Sequence, residues 1–367
     1  MSKLDNTLAK APEMVMSEHN LFKVMNEAWA LRHAKQPDVP FFCGPPGMAK
    51  TQLMYAWGAK MREAIPDFFV CDVMTADKYP SDIVAQIPNH EDKVLSGYVN
   101  EVLAWAIEPE AKGLIFLDEI TQAMADTQKV ISKIINERKL GQFPLAPNVI
   151  LAMAGNRSTD KARAIKLFSM ISNRANTINC IPDVEGVIDY MIDQNYNPLI
   201  AAYMSSAPYV EERDFQPNDA SFYTHRSMER VAQKWTLRDP DGAKGVVMSL
   251  LDISSSIGIG RAREFLAFAE MVDKMPGRKE ILNNPEGCKV PVKLDEQCAV
   301  CCMLTTSAAK DVFPKYAIYM QRFPVSLQIL FLKLVHKRGD QEIRKLKELV
   351  NWILKPEIKA AIMDRMD

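Results

Sequence analysis

Phe41-Phe42-Cys43-Gly44-Pro45-Pro46-Gly47-Met48-Ala49-Lys50-Thr51 is the stretch on which the reading of this chain turns. An apolar strand runs into a glycine-bearing loop, and a lysine and a hydroxyl then open a helix. That order suits a phosphate cradle, because loop N–H groups and a helix N-terminus both present positive charge to anionic oxygens. Lys50 is placed to reach the β- and γ-phosphates, and the Thr51 hydroxyl to hold Mg²⁺. The expected nucleotide-binding set is Gly44, Pro45, Pro46, Gly47, Met48, Ala49, Lys50, Thr51 and Gln52. The usual pattern has glycine before the lysine. Ala49 stands there instead, and its methyl predicts a backbone φ below zero.

A second motif lies about seventy residues on. Gly113-Leu114-Ile115-Phe116-Leu117-Asp118-Glu119 reads as a buried strand ending in two carboxylates. Asp118 falls where P-loop enzymes place the residue beside Mg²⁺, and Glu119 where a group polarises the attacking water. A third apolar run, Asn148–Gly155, ends in Asn156, which is expected to orient that water or to contact the γ-phosphate. Two further strands are expected, Phe68–Met74 and Ala175–Ile181. Between the strands lie helices over 51–64, 100–108 and 124–137. Short pieces around 83–87 and 94–98 read as a hairpin, and 138–145 as another turning at Gly141. Strands alternating with helices predict an α/β fold with a mostly parallel sheet and ligand at the strands' C-terminal ends.

Residues 15–35 carry apolar side chains at helical spacing. Beyond Asp183 the pattern is all helix, including stretches at 184–191, 198–205, 226–235, 245–253 and 261–275. The chain has 367 residues and a formal net charge of −1, so it lacks the basic excess of a dedicated nucleic-acid binder. No uninterrupted apolar run reaches membrane length, and the first residues lack a signal-peptide core, so a cytoplasmic protein without a membrane partner is expected. Seven scattered cysteines read as reduced thiols. Cys298, Cys301 and Cys302 fall on a helix and are read as core residues rather than metal ligands. Lys333, His336, Lys337, Arg338, Arg344, Lys345 and Lys347 are interleaved with Glu342 and Glu348, the pattern of an ion-paired surface.

Taken together, these motifs resemble the AAA+ ATPases, and within them the MoxR-like branch of the helix-2-insert clade. Gly47-Met48-Ala49-Lys50-Thr51 is similar to that branch's P-loop, Leu114–Glu119 to its Walker B run, and Ala154–Asp160 to its sensor 1 segment. Ser172-Asn173-Arg174 resembles its arginine-finger position and Thr224–Val231 its sensor 2 helix. The resemblance covers roughly residues 36–275 and implies a sheet of order 5-1-4-3-2 with a helical lid. The domains would be an N-terminal helical segment (1–35), the α/β core (36–182), the lid (183–275) and an all-helical C-terminal extension (276–367). Inserts at 81–100 and 138–148 would face the pore or a partner. Arg226 would contact the γ-phosphate of its own subunit's ATP. Arg174 would reach the neighbour's ATP in a homo-oligomeric ring, usually a hexamer. Ala175 stands where the family usually has Phe, so Arg157 and Arg163 remain alternatives for that role.

The function implied is ATP-driven remodelling or activation of a protein client, often with a partner carrying a von Willebrand factor A domain. ATP and Mg²⁺ would be the ligands, and Lys50, Glu119, Asn156, Arg174 and Arg226 the catalytic set. Two other readings stay open at this level: a nucleotide-gated scaffold with negligible hydrolysis, and a McrB-type motor acting on nucleic acid.

Overall fold

The computed structural model describes residues 12–91, 93–157, 169–206, 221–240, 245–274, 278–338 and 341–363. The chain divides into two compact units, residues 1–183 and 184–367. The first unit runs β1 (Glu13–Val15), α1 (Glu18–Ala30), β2 (Pro40–Cys43), α2 (Lys50–Ala64) and β3 (Phe69–Met74). It continues with β4 (Val84–Asn89), β5 (Val94–Val99), α3 (Glu101–Ala104), β6 (Lys112–Asp118) and α4 (Ala125–Glu137). β7 (Lys139–Leu140), β8 (Phe143–Pro144), β9 (Asn148–Gly155), α5 (Ser169–Ser172) and β10 (Asn176–Ile181) complete it.

Six strands form one sheet in the order β1-β10-β2-β9-β6-β3, and every pairing is parallel. Five of them reproduce the expected order, and β1 adds an outer strand beside β10. The apolar runs are nearly continuous because both faces are covered. Phe42, Leu114, Phe116, Ile150 and Ala152 pack with Met54 and Trp57 of α2. The alternate residues Phe41, Cys43, Ile115, Leu117, Leu151 and Met153 pack with Ile131, Ile134 and Ile135 of α4. This is the AAA+ P-loop fold, with a parallel sheet between helical layers.

Two features correct the sequence reading of the N-terminal stretch. Val15 lies in a strand, not a helix, with Glu13, Met14 and Val15 opposite Asn179, Cys180 and Ile181. Three residues are too few for a period-2 signal to stand out from a neighbouring helical one. The helix begins only after Ser17, whose side chain accepts the Asn20 N–H at 3.2 Å, and it ends at Ala30.

Both expected hairpins form. β4 and β5 pair antiparallel from Val84–Val99 to Asn89–Val94. β7 and β8 turn through Gly141, whose φ is +63°. A Cβ there would also come within 2.8 Å of Val84, so the two hairpins lie against each other.

The second unit is helical throughout its described residues. It comprises α6 (Val184–Asp193), α7 (Pro198–Ser206), α8 (His225–Arg238), α9 (Leu250–Ile257) and α10 (Ile259–Lys274). α11 (Arg278–Asn283), α12 (Leu294–Thr306), α13 (Phe313–Met320) and α14 (Val325–Arg338) follow, then α15 (Gln341–Arg344), α16 (Lys347–Ile353) and α17 (Pro356–Met363). One hydrophobic cluster runs from Ile188 to Ile358 and includes residues from both sides of position 275.

The helix expected at 245–253 starts later, at Leu250. Ser249 caps it, accepting the Asp252 N–H at 3.2 Å while its own N–H donates to Asp252. Cys298, Cys301 and Cys302 lie inside the cluster on α12, and burial pushes the Cys298 thiol up to about 12. Several members of the basic stretch are paired. Lys333 and Lys337 on α14 meet Asp189 and Asp193 on α6 at 2.5 and 3.4 Å, and Lys310 and Lys345 share Glu342. No helix among the described residues is long and apolar enough to cross a membrane.

Gly58 gives a test of the layer contact. A Cβ on it would come within 2.2 Å of Val70 Cγ2, because α2 lies directly on β3. Helix propensity favours Gly58→Ala by about 1 kcal/mol, but overpacking costs roughly 1–3 kcal/mol. The clash should win: Gly58→Ala lowers the thermal midpoint, and adding Val70→Ala to it restores part of the loss.

Candidate nucleotide site

Four strand ends place the site. Cys43 of β2 stands opposite Gly155 of β9, Leu117 of β6 opposite Met153 of β9, and Met74 of β3 opposite Asp118 of β6. The Gly44 N–H donates to Gly155 O at 3.1 Å, so the loop leaves the sheet already tied to its neighbour. A Cβ on Gly44 would meet the Cys180 carbonyl at 2.7 Å, which explains why glycine opens the loop. Burial raises the Cys180 thiol to about 12 and keeps it neutral.

Lys50 is buried, and its ammonium donates to the carbonyls of Gly44 at 2.8 Å and Pro45 at 3.0 Å. Those bonds hold the charge inside the loop that it is meant to serve. Ala49 overturns the sequence expectation: its φ is +64° and its ψ +21°, left-handed. The loop requires that conformation to turn into α2, whichever residue stands there. Alanine adopts it at a cost of about 1–2 kcal/mol.

Asp118 is buried and Glu119 half-buried at the end of β6. The Thr51 hydroxyl donates to Asp118 Oδ2 at 2.5 Å, and the Glu119 N–H to Asp118 Oδ1 at 2.8 Å. These two hard oxygen donors, brought together from two motifs, suit Mg²⁺, which favours oxygen ligands and keeps several waters. Glu119 is also left-handed, with φ +54°. Asn156 is buried just beyond β9, and its N–H donates to Thr121 Oγ1 at 3.0 Å.

Thr51 and Asp118 are thus drawn together by a direct contact, and Lys50 precedes Thr51 in the chain. Glu119 follows Asp118 in the chain, and Asn156 reaches the turn after Glu119 through Thr121. Gln52 is exposed on the first turn of α2. Arg174 is exposed in the turn between α5 and β10, and Arg157 is half-buried after β9. Arg163 lies outside the described residues. Arg226 is exposed on the first turn of α8, in the second unit, where Thr224 and Ser227 cap the helix.

Three residues of the site escaped the sequence reading. Thr75 is fully buried and its hydroxyl donates to the Asp118 carbonyl at 2.6 Å. Thr121 contacts Asn156 as above. Asp72 lies in the middle of β3, opposite Phe116, with Oδ1 buried and without a hydrogen-bond partner. Its carboxyl is raised to about 6, first by burial and then by the charge of Asp118. Only Asp72 carried a visible signal, a carboxylate inside an apolar strand; single threonines carry none.

The fold and this site define a P-loop ATPase. Residues 40–170 match the family described as AAA domain (dynein-related subfamily), which supports an ATPase. Among solved structures, Hsp104 with ATPγS and casein is 16% identical with a TM-score of 0.38, over 63% of this chain and 43% of that one. A mutant RuvB of Thermotoga maritima is 14% identical with a TM-score of 0.32, over 94% of this chain and 88% of that one. PCH-2 of C. elegans is 9% identical with a TM-score of 0.34, over 83% and 71%. The chain thus spans less than half of the Hsp104 chain it matches. No curated protein matches the sequence.

Two outcomes follow. Ala49→Gly should raise the nucleotide-free stability by about 1 kcal/mol, since glycine takes the left-handed conformation freely, and Ala49→Val should lower it; chemical denaturation measures both. Asp72 has a folded-state pKa above its ordinary value, so its contribution is fully present below about pH 4 and is lost as pH rises through about 6. Asp72→Asn should therefore raise the thermal midpoint in magnesium-free buffer at pH 8, with a gain that shrinks towards pH 4.

Proposed function

We propose that this chain is a MoxR-like ATPase of the helix-2-insert clade that works as an oligomeric ring and uses ATP to remodel or activate a protein partner. The observation that carries the reading is one unit joining two things: the Lys50–Thr51–Asp118 site and a hairpin with an apolar surface. On that hairpin Ile87, Val94, Leu95 and Tyr98 are 48, 54, 62 and 53% exposed. Apolar exposure of this kind favours a protein contact over a phosphate backbone.

In the proposed mechanism the triphosphate lies along the loop N–H groups, and its oxygens compete with the Gly44 and Pro45 carbonyls for the Lys50 ammonium. Thr51 and Asp118 would hold Mg²⁺, which when bound neutralises charge on the β- and γ-phosphate oxygens. Glu119 polarises the attacking water, and Asn156 orients it or contacts the γ-phosphate. Arg174, exposed in its turn, is assigned to the neighbouring subunit's nucleotide, with Arg157 and Arg163 as alternatives. Arg226 joins the catalytic set from its sequence context. Charge develops on the transferring group in the transition state, so fixed donors act there most strongly. A partner with a von Willebrand factor A domain is the client class suggested by the resemblance.

Steady-state ATP hydrolysis against protein concentration tests this. Specific activity should rise with concentration. Glu119→Gln should cut turnover by about 10²-fold or more while leaving ATP binding intact. Arg174→Ala should be inactive and should poison wild type when mixed with it. Full activity in Arg174→Ala would move the finger elsewhere, and ATP binding without turnover at any concentration would leave either a required partner or the scaffold reading.

A further inference from the structure

Glu119 and Asn156 leave the sheet from different strands, and the bond that links their backbones is made by Thr121. This residue sits in the turn after Glu119, within the 3-10 segment Ile120–Gln122, and is 4% exposed. Its Oγ1 accepts the Asn156 N–H at 3.0 Å. Its side chain also fills the space beside the preceding residue. A Cβ on Gly155 would come within 2.8 Å of Thr121 Cγ2 and 2.9 Å of Thr121 Oγ1. Glycine at 155 and threonine at 121 are thus matched: the strand end is bare so that the threonine can lie on it. The same turn is fixed on its other side, where Gln122 N–H donates to Glu119 O at 2.8 Å and Thr75 Oγ1 to Asp118 O at 2.6 Å.

We propose that Thr121 is a positioning residue for ATP hydrolysis: its hydroxyl ties the Glu119 turn to the Asn156 backbone and so sets the spacing between the group that polarises water and the group that orients it. This rests on the assignment of Glu119 and Asn156 to those roles. Thr121 itself touches neither phosphate nor water in this scheme.

The physical reasoning has two parts. Removing the hydroxyl leaves a buried N–H without its acceptor, at a cost of about 1–3 kcal/mol, and the segment can relieve that cost only by moving. Movement of the order of 1 Å in a catalytic group can reduce turnover by up to about 10²-fold. Lys50 and the loop are tied to Gly44, Pro45 and Gly155 by other bonds, so nucleotide binding is left alone.

Thr121→Val removes the hydroxyl and nearly keeps the shape; Thr121→Ser keeps the hydroxyl and removes the methyl. For Thr121→Val the expected result is kcat lowered about tenfold or more, with KM and the affinity for a fluorescent ATP analogue within about twofold of wild type. Thr121→Ser should retain kcat within about threefold of wild type. Amide hydrogen exchange at Asn156 should speed up in Thr121→Val and stay protected in Thr121→Ser. Wild-type kcat in Thr121→Val, equal loss in both variants, or an Asn156 amide still protected in Thr121→Val would each overturn the assignment. A wild-type protein that binds ATP without turnover would instead speak against hydrolysis by the chain alone, and the exchange result would still decide whether Thr121 holds Asn156.

Discussion

Cys43 lies opposite Gly155, Leu117 opposite Met153, and Met74 opposite Asp118. This parallel register is the constraint on which the site depends. All strands point the same way, so their C-terminal ends share one edge, and the ends of β2, β3, β6 and β9 each deliver one functional segment there. A shift of one residue in any strand would exchange its two faces and carry its terminal side chain off that edge. The register is in turn held by burial on both faces, with α2 on one side and α4 on the other.

That arrangement explains why so much was legible. A strand buried on both faces appears in sequence as an unbroken apolar run, and the polar residue that ends it stands out. Asp118, Glu119 and Asn156 were read from such endings, and Lys50 from the glycine-bearing loop that follows one. The hairpins were legible because Pro88, Asn89 and Gly141 punctuate short apolar pieces. What stayed hidden was what only tertiary contact can create. Thr75 and Thr121 matter through single hydroxyls whose partners are 43 and 35 positions away. β1 is too short to announce itself and is a strand only because β10 offers it an edge.

The Ala49 expectation failed for an instructive reason. It inferred the backbone from the side chain, assuming that a methyl would avoid the left-handed region. The loop geometry decided otherwise, because the chain must reverse between a buried strand and a helix whose first turn carries the lysine. Local preference was a weak prior and the surrounding fold overrode it.

Ala49 and Glu119 are both left-handed; Ala49 sits where the loop enters α2, and Glu119 where β6 gives way to the site. Together they cost about 2–4 kcal/mol, a sizeable share of the roughly 5–15 kcal/mol that keeps a protein folded. Such strain persists only where other contacts over-determine the backbone. Around Glu119 those contacts can be named: its own N–H on Asp118 Oδ1, its carbonyl on Gln122, and the preceding carbonyl on Thr75. Around Ala49 they are the Leu53 N–H on its carbonyl and Lys50 drawn back onto Gly44 and Pro45. Apolar packing holds the sheet, but the turns that carry the chemistry are held by hydrogen bonds, which work at short range and in fixed directions. The strain at Ala49 and Glu119 is therefore held next to where phosphate and water would bind, by bonds that reach only the residues beside it.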